Sequence, residues 1–231
     1  MPTVLVTRAS ADAAPLEALL HEAGLATLRV PLVERVWRLD AVRRAATHRS
    51  RWDGLVATSA SAVHSLARAG VHPRADRVAA VGPKTARALD ELGYAVHVVP
   101  QTHTASALLQ ALGPVRGHWL FPRAEVTSSG LEELLAEAGA TVHDVVAYAN
   151  QAPEGYQDAL RAVWDRVDAV TLLSGSAAAR LAEAGLPERP TVAIGPSTAT
   201  AARAAGLPVH RVASPHTIEG VVAAVLALLQ R

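Results

Sequence analysis

The strongest constraint on the fold of this chain is an internal duplication. The stretch "VGPKTARALDELG" begins at Val81 and its counterpart "IGPSTATAARAAG" begins at Ile194, which is 113 positions later. Earlier in the chain the spacing is 115 positions, as between Arg8 and Arg123. This spacing is too long for a solenoid repeat and stays nearly constant from end to end. We therefore interpret the chain as two copies of one domain-sized unit.

Each copy alternates predicted helices with predicted strands. Ala- and Leu-rich runs end at glycines, as helices do before a turn into a strand: Gly24, Gly70, Gly93, Gly139, Gly185 and Gly206. The predicted strands are Val4–Thr7, Gly54–Thr58, Val78–Val81, Val96–Val99, Trp119–Phe121, Ala169–Leu173, Val192–Ile194 and Val209–Val212. Most are continuous apolar runs, which is typical of strands covered on both faces. The pattern predicts an α/β protein with parallel sheets.

Two longer extended runs lack a helix signature. They are Leu28–Trp37 and Thr141–Pro153, which occupy equivalent positions in the two copies. Two such strands can pair as a connector between domains.

Composition narrows the class of protein. The chain has a net charge of +1, no cysteine, and no apolar run approaching the length of a membrane span. Its first residues, "MPTVLVTRAS", are typical of a strand rather than a signal peptide. We expect a cytoplasmic protein with neither nucleic acid nor membrane as a partner.

The candidate site lies in the loops that follow the strands. Open parallel sheets bind ligands beyond the carboxyl ends of their strands, where the N-termini of helices favour anions. The polar and glycine candidates there are Arg8, Thr58, Ser59, Ser61, Lys84, Thr85, Arg123, Ser174, Gly175, Ser176, Ser197 and Thr198. Each hydroxyl by itself is better explained as an ordinary helix N-cap, and each arginine is equally explained as part of a surface ion pair. The functional interpretation of the hydroxyls depends on the similarity of all these loops.

No pattern in the sequence predicts a cofactor. His97 and His103 match His210 and His216 in the duplication, but no His-x-x-x-His spacing or acidic cluster accompanies them. No GxGxxG, Walker loop or nucleophile elbow is present. We therefore expect no metal and no nucleotide. Tyr148, in the second extended run, is a candidate for chemistry, although packing of the connector also explains it.

The order and spacing of several motifs resemble the uroporphyrinogen-III synthase family across essentially the whole chain. The motifs are "VLVTR" at the start, "ATSASAV" (57–63), "AVGPKTARAL" (80–89), "VVAYAN" (145–150), "LLSGSAA" (172–178) and "AIGPSTATAARAAGLPV" (193–209). The last of these is the most specific.

The resemblance implies two similar flavodoxin- or Rossmann-like parallel-sheet domains, joined by a two-stranded β-ladder, with the active site in the cleft between them. The expected bounds are 1–33 plus 153–231 for one domain and 37–146 for the other. Residues 28–37 and 141–153 would be the connector strands. The duplication alone would instead suggest a single cut near Pro114.

The resemblance also implies a reaction. The family cyclises hydroxymethylbilane, a linear tetrapyrrole rich in carboxylates, to uroporphyrinogen III with loss of water and inversion of ring D through a spiro intermediate. This is a hydro-lyase activity of tetrapyrrole and heme biosynthesis that needs no cofactor. We expect a monomer whose contact with the upstream bilane-forming enzyme is at most transient.

Residue roles follow from the same resemblance. Tyr148 matches a connector tyrosine proposed to help the hydroxyl leave, and is the catalytic candidate. Thr198 and Ser197 match the hydroxyl pair of one Gly-Pro loop, and Thr85 matches the threonine of the other. Ser59 and Ser174 match Thr-Ser loops, although Leu173 stands where the family usually has threonine.

Two other classes of protein remain open from the residues themselves. A cytoplasmic two-domain small-anion-binding or sensor protein without catalysis fits the same strand–helix pattern. A two-domain sugar-nucleotide transferase would need a longer chain and a set of phosphate-loop glycines.

Overall fold

The chain divides into two units, and the first is assembled from both ends of the sequence. One unit comprises Met1–Glu34 and Gln151–Arg231, and the other comprises Arg35–Asn150. The computed structural model describes residues 1–127 and 130–229, and of residues 10–12 the backbone alone.

The described residues form alternating strands and helices. The strands are β1 (Thr3–Val6), β2 (Ala26–Arg29), β3 (Glu34–Trp37), β4 (Trp52–Ala57), β5 (Ala75–Ala80), β6 (Gly117–Ala124), β7 (Ala140–Gln151), β8 (Ala169–Leu172), β9 (Thr191–Ala193) and β10 (Arg211–Val212). The helices are α1 (Ser10–Glu22), α2 (Leu39–Thr47), α3 (Ala60–Arg68), α4 (Pro83–Glu91), α5 (Ala105–Leu112), α6 (Leu131–Glu137), α7 (Tyr156–Val163), α8 (Gly175–Glu183), α9 (Pro196–Ala204) and α10 (Ile218–Leu229), with a 3₁₀ turn at Trp164–Arg166.

The sheet of the first unit is parallel and covered on both faces. Its strand order is β10-β9-β8-β1-β2, and each neighbouring pair is parallel. Within β1, Val4 and Val6 pack with buried residues of α1 and α10, whereas Leu5 packs with residues of α7 and α8. Successive side chains of a strand point to opposite faces, so an apolar run is buried by helices on both sides.

The second unit repeats this arrangement. Its strand order is β3-β7-β6-β4-β5, with parallel pairing from β7 through β5. Leu55 and Leu120 belong to one core with α3 and α4, and Trp119 and Phe121 belong to the other with α5 and α6. The predicted α/β class with two parallel-sheet domains is confirmed.

The two sequence copies exchange their first strands. In the first unit the Asp168 carboxylate accepts the Thr3 N–H at 2.7 Å, so β8 of the second copy is tied to β1 of the first. In the second unit the Asp53 carboxylate accepts the His118 N–H at 2.7 Å, which ties β4 to β6. Both partners of one contact are 115 positions from their counterparts in the other. Each unit therefore combines the start of one copy with the remainder of the other.

The predicted helix ends agree with the structure. All six glycines predicted to end helices have φ between +61° and +102°, a left-handed conformation that glycine adopts without steric cost. The apolar C-terminal run forms α10, which buries Val221 and Val225.

Three predicted extended runs are substantially longer than the strands observed. Of Val209–Val212, only Arg211–Val212 is a strand. Val96–Val99 is not a strand but a single bridge between Ala79 and Val98. The His97 imidazole accepts the Val78 N–H at 3.0 Å, which removes a donor that a regular ladder would use. The run Leu28–Trp37 is two short strands, β2 and β3, separated by residues 30–33; Pro31 within that gap has no N–H to donate.

The central strands of the two sheets carry residues of different size at equivalent positions. In the second unit Gly54 is opposite Trp119, whereas in the first unit Ala169 is opposite Val4. The Trp119 ring occupies the space a side chain at Gly54 would need, because a Cβ there would lie 2.2 Å from its Cδ2 atom. A large residue on one strand is thus matched by the smallest residue on the next.

This packing predicts that Gly54→Ala destabilises the second unit strongly. The new methyl group has to displace a fully buried indole, so we expect a loss of about 3 kcal/mol or more in the free energy of unfolding. Gly70→Ala is the control, since its Cβ would meet nothing within 4 Å and only the φ of +67° opposes it. That variant should lose about 1–2 kcal/mol in urea unfolding. Equal losses in the two variants would contradict the packing argument.

Candidate functional site

The candidate residues of the second unit lie at the carboxyl edge of its sheet. Ala57, the last residue of β4, is in register with Ala80, the last residue of β5. Each strand turns directly into a helix, with Ser59 as the N-cap of α3 and Gly82 as the N-cap of α4. The positive ends of two helix dipoles are therefore neighbours at this edge.

Tyr148 belongs to the same edge. Its hydroxyl lies 3.1 Å from the Ser59 hydroxyl, while Ser59 accepts the Ala62 N–H at 3.1 Å. The tyrosine side chain is 7 % exposed, and its ring packs against Trp37 with centroids 5.9 Å apart. The phenol is thus held by packing, with its oxygen directed at the start of α3.

The first unit presents a matching edge. Leu172 of β8 is in register with Ala193 of β9, and these strands lead into α8 and α9. Ser174 caps α8 by accepting the Ala177 N–H at 3.2 Å, as Ser59 caps α3. Gly195 is the N-cap of α9 in an extended conformation like that of Gly82.

The third helical residue after the glycine of each Gly-Pro loop is a buried threonine. Thr85 and Thr198 are each 5 % exposed. Neither side-chain hydroxyl has a hydrogen-bond partner among the described residues, although each lies in the first turn of its helix. Lys84 and Ser197, which precede them, are exposed. Each loop therefore presents an unpaired hydroxyl and first-turn N–H groups, which is the chemistry of an anion site.

A histidine ring packs over each of these loops, a feature that sequence reasoning used only to consider a metal. A Cβ built on Gly82 would lie 3.5 Å from Cγ of His103, and one on Gly195 would lie 3.6 Å from Cγ of His216. His216 Nδ1 lies 2.7 Å from the Ala213 carbonyl. The duplication thus preserves these two contacts as well as the loops.

Other predicted site residues have structural partners. Arg123 lies within β6, and its Nε donates to the Asp144 carboxylate at 2.8 Å, with Glu132 at 3.9 Å. It lines an open depression of about 500 Å³ that Glu132 and Glu133 also line. Gly175 is required by helix packing, because a Cβ there would lie 2.9 Å from the Cβ of Ala201.

The remaining candidates flank the strand ends. Arg8 follows β1 and is half-buried, as are Thr58 and Ser61 around the start of α3. Ser176, in the first turn of α8, is exposed.

Sequence reasoning missed a cationic and aromatic cluster beside Tyr148. The Arg35 guanidinium carbon lies 5.4 Å from the centroid of the Tyr148 ring and 5.5 Å from that of Trp37. Arg68 lies over the same indole at 4.9 Å. The available signal was the spacing of Arg35 and Trp37, which are two apart in an extended run and hence on one face.

A second cluster of titratable groups lies away from this edge, near the beginnings of β6 and β7. His118 Nδ1 is 2.9 Å from His143 Nε2, and the His143 ring packs edge-on against Trp52. Burial, together with the nearby His118, His48 and Arg49, lowers the pKa of His143. Among the described residues, no three His, Asp or Glu side chains are arranged to hold a metal ion.

These observations define a class: an α/β protein of two duplicated parallel-sheet units, whose strands lead into helices with capped N-termini at the carboxyl edge of each sheet. The particular family follows from comparison. The family model described as uroporphyrinogen-III synthase HemD matches residues 14–223. The chain belongs to the uroporphyrinogen-III synthase family, which confirms the resemblance noted in its motifs.

Individual relatives agree with this assignment. A putative uroporphyrinogen-III synthase of Methanothermobacter thermautotrophicus is 32% identical over 182 residues, 73% of this chain and 72% of the relative. The uroporphyrinogen-III synthase of Chlorobaculum parvum is 28% identical over 66% of this chain and 65% of its own length.

Solved structures share the fold. A mutant uroporphyrinogen III synthase of Thermus thermophilus superposes with a TM-score of 0.70 at 22% identity, covering 100% of this chain and 99% of that chain. The enzyme of Helicobacter pylori gives a TM-score of 0.61 at 20% identity, with coverage of 100% and 99%. In the described residues, no helix combines the length and apolarity needed to cross a membrane.

The matched N-caps yield a stability prediction. Ser174→Ala removes one capping hydrogen bond and should cost about 1 kcal/mol. Ser59→Ala removes the equivalent bond and also the partner of a buried phenol, so it should cost more, about 2 kcal/mol. Urea unfolding of the two variants measures the difference. A Ser174→Ala loss equal to or larger than the Ser59→Ala loss would contradict the role of the Tyr148 contact.

Proposed function

We propose that this chain converts hydroxymethylbilane to uroporphyrinogen III, with Tyr148 assisting departure of the substrate hydroxyl. The match of the family model across residues 14–223 carries the assignment of the reaction. The contact of Tyr148 with Ser59 at the sheet edge supports the choice of catalytic residue.

The reaction needs little beyond control of geometry. The pyrrole that bears the hydroxymethyl group supplies electrons to its carbon, the hydroxyl leaves as water with one added proton, and an azafulvene results. The substituted carbon of ring D attacks the exposed methylene to form a spiro intermediate. Its bond to the neighbouring bridge carbon then breaks, and the bridge carbon rebonds to the free α-carbon of ring D, which loses its proton. Holding the flexible chain in one folded shape accounts for most of the catalysis.

Tyr148 suits the departure step because packing fixes its ring while its hydroxyl can still donate a hydrogen bond. The ring is clamped by Trp37, and the hydroxyl has a side-chain partner, Ser59, that can act as donor or acceptor. With Ser59 donating to the phenol oxygen, the Tyr148 O–H is available to donate to the leaving hydroxyl. A phenol hydrogen bond lowers the cost of expelling that oxygen.

The helix N-termini at the carboxyl edge of each sheet are the proposed binding groups for carboxylates of the substrate. First-turn N–H groups and the unpaired hydroxyls of Thr85 and Thr198 recognise anions without fixed positive side chains. Lys84, exposed at one loop where Ser197 stands at the other, gives the two edges different preferences. Thr58, Ser59, Ser61, Ser174 and Ser176 complete the proposed binding set, with Arg8 and Arg123 at its margins.

The proposal also covers the setting of the enzyme. It acts in the cytoplasm as a monomer, without metal or nucleotide, on bilane released by the preceding enzyme.

The first test is the identity of the product isomer. Purified protein supplied with enzymatically made hydroxymethylbilane, and with no added metal or nucleotide, should yield the III isomer, read out by chromatography after oxidation. The bilane closes spontaneously to the I isomer, so heat-denatured protein serves as the baseline. Formation of the I isomer alone would refute the proposed function.

The second test concerns the phenol. Tyr148→Phe keeps the ring against Trp37 and removes only the hydroxyl, so kcat for the III isomer should fall roughly tenfold to a hundredfold. Thr58→Ala should act on KM and reduce kcat less. Tyr156→Phe is the matched control, because the Tyr156 hydroxyl contacts Glu183 at 3.0 Å on the first unit. Unimpaired turnover in Tyr148→Phe would exclude the catalytic role.

A further inference from the structure

The cluster beside Tyr148 contains an arginine whose charge the fold leaves uncompensated. Among the described residues, no carboxylate, carbonyl or hydroxyl accepts a hydrogen bond from the Arg35 guanidinium. Its Nε is buried and without a partner. A buried donor that lacks an acceptor costs about 1–3 kcal/mol, more when it is charged. The residue as a whole is only half-buried, so its Nη groups are the donors that a ligand could reach.

Arg49 in the same unit and Arg189 in the other also have a buried Nε without a partner, so what distinguishes Arg35 is its position against the Trp37 and Tyr148 rings. Other arginines of the unit are paired. Arg77 also packs over an indole, that of Trp119 at 5.7 Å, but it donates to the Leu112 and Pro114 carbonyls. Arg43 donates to the Asp40 carboxylate at 2.9 Å and to the Ala69 carbonyl at 3.1 Å. These guanidinium groups stabilise the folded chain, whereas the donors of Arg35 remain available.

Two aromatic rings nevertheless hold Arg35 in place. Its guanidinium carbon is 5.5 Å from the Trp37 ring and 5.4 Å from the Tyr148 ring, within the range of cation–π attraction. Each such contact contributes about 0.5–2 kcal/mol, so the side chain is positioned before any ligand arrives. A planar guanidinium fixed in this way can bind a carboxylate through two parallel hydrogen bonds.

A second unpaired cation strengthens the case for an anion. Arg68 lies 4.9 Å from the Trp37 ring, and its guanidinium likewise has no hydrogen bond or ion pair among the described residues. Arg68 is exposed, so its charge is solvated and its repulsion of Arg35 is screened. A carboxylate bound to the Arg35 Nη groups would also lie near this second cation.

We propose that Arg35 binds one carboxylate of the tetrapyrrole beside the Tyr148 hydroxyl, and so places the departing hydroxyl of the substrate against the phenol. The inference rests on the proposed function and adds a specific residue for positioning the substrate. Since Arg35 contacts the Tyr148 ring itself, a carboxylate held there fixes the substrate relative to the catalytic group.

The test is a kinetic comparison of two arginines that both pack on indoles. Arg35→Met keeps an apolar stem between the rings and removes the charge, so KM for hydroxymethylbilane should rise roughly tenfold to a hundredfold, the equivalent of one charge-assisted bidentate pair. Arg35→Lys should restore part of this loss, because it keeps the charge without the planar fork. Arg77→Met should show the opposite pattern, with a lower unfolding midpoint and an unchanged KM.

The outcomes separate this inference from the proposed function. If wild-type protein makes the III isomer and Arg35→Met leaves KM unchanged, the role of Arg35 is refuted while the function stands. Binding of reduced, chemically prepared uroporphyrinogen III, followed by the shift in thermal unfolding, gives a readout independent of turnover. If wild-type protein makes no III isomer but Arg35→Met alone abolishes that shift, the function fails and the carboxylate site stands. If Arg77→Met raised KM as much as Arg35→Met does, the change in KM would reflect loss of stability, and the inference would be overturned.

Discussion

The structure depends on parallel pairing between strands that are distant in sequence. Asp168 accepts the N–H of Thr3, and Asp53 accepts that of His118, so each sheet is built around a central pair drawn from different copies of the duplication. Closing a loop of such length costs entropy, which only a continuous apolar core on both faces can offset. Because these pairings are parallel, the loops that follow the paired strands of each sheet lie at one edge of that sheet.

The duplicated features lie at the carboxyl edge of each sheet. The two serine caps, the two extended glycines and the two buried threonines recur at the same spacing, because the same helix N-termini are being formed twice. The two edges differ in particular side chains. Tyr148 contacts Ser59 in the second unit, and Lys84 stands where the first unit has Ser197. The duplicated units therefore present different side chains at equivalent edges.

The arginines show how the fold separates structural charges from available ones. Arg123, expected at a strand end to bind carboxylates, is held by Asp144 of the neighbouring strand. Arg35, in a run interpreted only as a connector, is the one placed against Tyr148 with its donors unused. Residue type and strand position cannot distinguish these cases, since the partners come from other strands. The same holds for Gly175. A small residue is required at this position because of Ala201 on the neighbouring helix, which lies elsewhere in the sequence.

The sequence by itself determined the α/β class, the helix-ending glycines, the duplicated loops and the family, because these depend on local backbone preference, periodicity and constant spacing. It misjudged Val96–Val99 and Leu28–Trp37, where a histidine side chain and a proline interrupt the ladder. Tertiary structure alone decided that the first strands are exchanged, that Gly54 is opposite Trp119, and that Arg35 lies on Tyr148. Those are contacts between distant segments, and their energies depend on distances that no local pattern encodes.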